Sequence, residues 1–221
     1  MIVSLFVQVV ATMAVFAALL FGVAGTLAWP GAWVFIAELG ASSLGIGLWL
    51  ARRDPALLAE RLRPPAQRGQ SGWDRVFMLL ALVGFAAWTA FMAWDWRRGR
   101  HLPVWLEALG FVLIAVCMGL CLMTFAANSY AAPVVKLQPG QSVATSGPYR
   151  FVRHPMYASA ILFFVGVPLL LGVWRGLTVI PLMVVFLAVR AVGEERLLIG
   201  GLEGYADYAR RVRYRFAPFL W

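Results

Sequence analysis

"MYASAILFFVGVPLLLGVWRGLTVIPLMVVFLAVRAVGEERLL", Met156 to Leu198, decides the fold. The run is apolar and much longer than the roughly 20 residues that one helix needs to cross a bilayer. It is broken at "GVWRG", Gly172 to Gly176, where two glycines flank a charged arginine. Two helices joined at that break form a hairpin, and a hairpin returns its second leg to the end where the first began. Residues near 154 and near 194 are therefore expected to be neighbours.

Working outward, further apolar runs cover about Ser4–Ala28, Pro30–Ala51, Asp74–Trp96 and Pro103–Ala131. With the hairpin they predict an all-α, polytopic transmembrane bundle of about six spans. Composition agrees: 62% of the 221 residues are hydrophobic and only 13% are charged, too few to cover a soluble surface. The N-terminal run has no basic flank and is long enough to span, so it reads as a retained first helix. Eighteen of the 19 basic residues are arginine and the net charge is +9. No basic tract lies on a polar scaffold, so the charge points to membrane topology and anionic headgroups rather than nucleic acid. With both termini cytoplasmic, 15 basic residues fall inside, Arg68 among them. Four, Arg97, Arg98, Arg100 and Arg175, fall outside. That bias supports both termini, and with them the polar clusters, facing the cytoplasm. Trp29, Trp33, Trp94, Trp96, Trp105 and Trp174 sit where an interfacial aromatic belt is expected. "RRDPALLAERLRPPAQRGQSG" is too polar to span and reads as a short interfacial helix with a loop. Cys117 and Cys121, four apart in an apolar run, read as small core residues; with two histidines in the chain, no metal set is implied.

Two polar clusters flank the hairpin. "KLQPGQSVATSGPYRFVRHPMY" precedes it, and Arg190, Glu194 and Glu195 close it. Their convergence builds one pocket at the membrane surface, holding cations, carboxylates, an imidazole and hydroxyls. Arg190 and Glu194 share a helix face. An arginine at bilayer depth is a functional candidate, although an ion pair sealing a helix end is the plainer reading. His154 reads as a site residue or as a polar group at the interface. Pro148 and Pro155 stiffen the loop. Arg150 reads as a lipid-phosphate contact, and Arg153 as either that or a tie to the final helix. Classical sets fit poorly: no second histidine accompanies a nucleophile, and adjacent Glu194 and Glu195 point about 100° apart.

"GPYRFVRHPMY" (Gly147–Tyr157), Arg190 followed by "EERLL", and "GYADYARRV" (Gly204–Val212) resemble the isoprenylcysteine carboxyl methyltransferase family, in particular its bacterial members. The likeness covers Asn128 to Arg215, and the spaced R-H-P-x-Y and R-x3-E-E elements are specific in combination. The resemblance implies S-adenosyl-L-methionine as methyl donor. It places Gln141, Ser142, Val143, Ala144, Tyr149, His154, Pro155, Met156, Tyr157 and Glu194 at the cofactor. Arg190 matches the acceptor-contacting position, and Arg190, Glu194 and His154 form the implied catalytic group. Lys136 falls roughly where the cofactor loop begins. The family's usual histidine is replaced by Gln141, which can hydrogen-bond but carry no charge.

The implied division is a helical region, 1–131, with an interfacial loop at 52–73, and a catalytic region, 132–221. The expected partner is a lipophilic or small apolar acceptor among membrane lipids, possibly a carboxylate, since that acceptor needs no base. Glu38, unusual inside a span, is a candidate substrate contact. Two other readings compete: an NADPH-dependent membrane reductase of the sterol-reductase type, and a non-enzymatic membrane or transport protein.

Overall fold

The computed structural model describes every residue except Pro65, Arg68, Arg100 and Leu220. Arg68 and Arg100, counted above in the charge asymmetry, thus lie outside the described residues. Among the described residues the chain is all-helical, with eight α-helices and no strand. They are α1 (Ile2–Ala24), α2 (Pro30–Arg53), α3 (Pro55–Arg61), α4 (Gly72–Trp96), α5 (Val104–Ala127), α6 (Pro155–Leu170), α7 (Ile180–Gly201) and α8 (Tyr205–Arg211).

Five segments are long and apolar enough to cross a membrane: α1, α2, α4, α5 and residues 175–201, which include α7. The expected sixth falls short. At 1.5 Å per residue, the 16 residues of α6 reach about 24 Å, less than a hydrocarbon core of about 30 Å. The hairpin also differs from expectation in its packing. α6 lies mainly along α5 and touches α7 little. Glycines set this contact: a Cβ on Gly110 would lie 2.3 Å from the Leu170 nitrogen and 2.6 Å from the Gly166 oxygen.

The break between α6 and α7 is a tightly held turn. Gly172 takes φ 72°. The indoles of Trp29 and Trp88 donate to the carbonyls of Leu171 and Gly176, at 3.2 and 2.9 Å. Trp29 is therefore a core residue, 2% exposed and stacked on Trp96, not a member of an interfacial belt. α5 ends at Ala127, four residues before the apolar run does. The cause is Asn128, whose Oδ1 accepts from the Tyr130 amide and turns the chain out of the helix.

The expected short helix after α2 is present as α3, with Asp54 as its N-cap accepting from Leu57 N at 3.0 Å. Leu57 and Leu58 pack it onto Leu50 and Phe125. The end of the bundle that carries α3 also carries the α5–α6 loop, the end of α7 and the C-terminal tail. This is the end that holds the polar clusters.

Candidate functional site

Residues 128–136, 141–144, the start of α6, the end of α7 and α8 surround a cavity of about 950 Å³, part of it open to the outside. Every residue assigned to the cofactor by resemblance lines it: Gln141 to Ala144, Tyr149, His154 to Tyr157, and Glu194. Arg190 and Lys136 line it too. The convergence of the two clusters thus holds, although α6 packs mainly along α5 and touches α7 little. Glu38 is not among the lining residues; it sits half-buried in α2 with no hydrogen bond to either carboxylate oxygen among the described residues.

The two glutamates are used differently. Glu195 is buried and gathers three groups: Arg153 Nε at 2.8 Å, Arg215 Nε at 3.0 Å and His154 Nε2 at 3.0 Å. An ionised carboxylate only accepts, so His154 donates to it from Nε2. His154 Nδ1 then faces Glu194, 3.7 Å away. Glu194 is 29% exposed on its side chain and accepts from the Tyr157 hydroxyl at 2.7 Å. Arg153 also donates to the Ala209 carbonyl at 3.1 Å, which resolves its two readings: it ties the loop to α7 and α8. Arg150 is exposed.

Arg190 is held by the α5–α6 loop and the start of α4. Its Nη2 donates to the Pro133 carbonyl at 2.7 Å and lies 3.2 Å from Asp74 Oδ1. Asp74 is fully buried; its other oxygen accepts from Gln70 Nε2 at 2.8 Å and from the Val135 amide at 3.0 Å. Lys136 is likewise anchored, 2.6 Å from Glu60 and donating to Gln67 Oε1 at 2.8 Å. The polar loop after α2 thus clamps the α5–α6 loop. Sequence reasoning missed these partners, since a lone acid at a helix start carries no signal of what it will meet 60 or more residues later. Gln141 closes its own turn, its Oε1 accepting from the Gln138 amide at 3.0 Å.

The aromatic wall is also supported from behind. Asn128 Nδ2 donates to the Tyr149 hydroxyl at 2.9 Å, and the Tyr208 hydroxyl donates to the Tyr149 carbonyl at 2.9 Å. Burial pushes the Tyr149 phenol up to about 12, against the opposing hydrogen bond from Asn128. Burial also raises Tyr205 and Tyr208, so all three stay neutral donors at physiological pH. The tail completes the frame: the amides of Arg153 and His154 donate to the carbonyls of Tyr214 and Arg215, both at 2.9 Å. Besides Arg153 Nε, which keeps its ion pair with Glu195, two buried donors on lining residues, Arg190 Nε and the Tyr205 hydroxyl, have no hydrogen-bond partner among the described residues. Unpaired donors of this kind cost about 1–3 kcal/mol each, which suits a surface shaped for a polar ligand.

Residues 108–200 match the model of the isoprenylcysteine carboxyl methyltransferase (ICMT) family. The fold is similar to the solved structure of the eukaryotic intramembrane Ras methyltransferase ICMT. The TM-score is 0.56 at 18% sequence identity, over 95% of this chain and 75% of that one. No curated protein sequence matches the chain.

Proposed function

We propose that the protein is an integral-membrane methyltransferase that takes its methyl group from S-adenosyl-L-methionine and passes it to a lipophilic or small apolar acceptor. The observation that carries this reading is the single cavity shared by Gln141–Ala144, Tyr149, His154–Tyr157, Arg190 and Glu194. Residues 132–221 serve as the catalytic region and residues 1–131 as its scaffold. The charge asymmetry supports a cavity that opens to the cytoplasm, and the resemblance to bacterial members of the family favours a bacterial inner membrane.

The residues suit the donor's chemistry. Glu194, exposed in part, pairs with a cationic ammonium or sulfonium. The unpaired Tyr205 hydroxyl and the loop amides of Ser142 to Ala144 offer hydrogen bonds to carboxylate and adenine. When bound, the sulfonium supplies an activated methyl group for in-line displacement. Such a step depends on alignment and exclusion of water more than on a strong base. Arg190, fixed by Asp74 and Pro133 with Nε still unpaired, orients an acceptor oxygen at the cavity wall. A carboxylate acceptor suits it best, because no proton must leave.

Calorimetric titration with S-adenosylhomocysteine tests the donor. Wild type is expected to bind, and Glu194→Ala at least 10-fold more weakly. Absence of binding by folded wild type would sink the reading. Incubation of membranes with methyl-labelled donor, with and without the protein, then identifies the acceptor by what becomes labelled.

A further inference from the structure

A second cleft lies on the other side of the wall formed by Phe125 and Ala131. It runs between α1, α2 and α5, with α3 as its floor, and holds about 940 Å³, part of it open to the outside. Along α1 it extends from Leu5 to Met13, about 12 Å at 1.5 Å per residue. Its lining is mostly apolar, as a lipid chain requires. Its floor carries Arg61.

Arg61 is unusual for its position. Its guanidinium lies 4.3 Å from the centre of the Phe125 ring, and Nη1 donates to the Ala131 carbonyl at 2.8 Å. Among the described residues it has no carboxylate partner, whereas Arg63, two residues on, is paired with Glu60. Burial lowers its pKa from the usual guanidinium value, against an opposing contribution from the nearby Cys121 thiol, and no carboxylate stands beside it. Arg52 and Arg53 follow Leu50, a lining residue, on the last turn of α2 and add to the positive charge at this end of the cleft.

We propose that this cleft binds one anionic phospholipid, with an acyl chain between α1, α2 and α5 and the phosphate at Arg61. Charge complementarity selects the occupant: an apolar slot ending in an uncompensated arginine at the headgroup level fits a lipid with net negative charge. Because Arg61 also holds the carbonyl of Ala131, which lines the donor cavity, the bound lipid braces the start of the cofactor loop. The site itself stands independently of the methyltransferase reading.

Native mass spectrometry of the full chain in neutral detergent tests it, using palmitoyl-oleoyl phosphatidylglycerol and the matching phosphatidylcholine as probes. One phosphatidylglycerol is expected to bind at least 10-fold tighter than phosphatidylcholine. Arg61→Gln is expected to erase that preference and Arg61→Lys to retain most of it. Ser43→Trp, which fills the cleft without touching the charge, is expected to remove the bound lipid. Equal binding of the two lipids by wild type overturns the proposal, whatever the variants do. So does a preference undiminished in both Arg61→Gln and Ser43→Trp.

Discussion

Glu194 and Glu195 are adjacent, yet their surroundings separate them. Successive helical positions point about 100° apart, so one side chain meets the cavity while its neighbour turns into the packing behind it. Glu195 neutralises Arg153 and Arg215 and fixes His154. Removing its charge leaves two arginines, one of them buried, without their anion. Loss of one partner from a buried ion pair typically costs about 3–5 kcal/mol. Glu195→Gln is therefore expected to lower the thermal midpoint in detergent by many degrees. Glu194→Gln keeps an acceptor for Tyr157 but turns a charge-assisted hydrogen bond into a neutral one, which should cost about 1 kcal/mol, while weakening donor binding. Thermal melts and donor titration of both variants separate the two roles. Similar melting of the two proteins would contradict the assignment of Glu195 as the structural hub.

At the scale of elements, α5 and α6 meet backbone to backbone, and the contact has no slack. A methyl group on Gly110 would press on Leu170 and Gly166, whose backbone atoms cannot swing aside as a flexible side chain can. Gly110→Ala must push the helices apart, at about 1–3 kcal/mol or more. Gly119 lies on the same helix with open space around its Cα, so Gly119→Ala should be neutral or slightly stabilising through helix propensity. Side-by-side unfolding measurements check the pair, and equal effects would refute close α5–α6 packing as the cause. Because α6 follows directly on His154, carries Tyr157 in its first turn and rides on α5, slippage here also displaces the cavity wall. Gly110→Ala should therefore weaken donor binding and Gly119→Ala should not. Neither glycine was distinguishable in the sequence, where both sit in one uninterrupted apolar run.

Across the whole molecule, legibility followed the reach of the signal. The helices were readable because apolar runs are local. The cavity residues were readable through the family resemblance of their motifs, beside the expectation that residues near 154 and 194 are neighbours. The α5 end was misplaced by a single side chain, Asn128, that competes for the backbone. Asp74, Glu60 and the tail carried no local sign of their partners, since each acts across 20 or more residues. The tail is the most consequential of these. Among the described residues after Val212 there is no helix, yet the carbonyls of Tyr214 and Arg215 accept from the amides of Arg153 and His154, and Arg215 meets Glu195. A chain ending at Val212 keeps every helix, so its far-UV circular dichroism should match the full chain. It loses the clamp behind His154. Hydrogen exchange at the Arg153 and His154 amides should rise by at least 10-fold, reflecting two lost backbone hydrogen bonds of about 1 kcal/mol each together with the Arg215–Glu195 pair. Affinity for S-adenosylhomocysteine should fall with it. Faster exchange with unchanged affinity would leave the tail a structural brace alone. Unchanged exchange would show that the α6 start holds its shape without the tail.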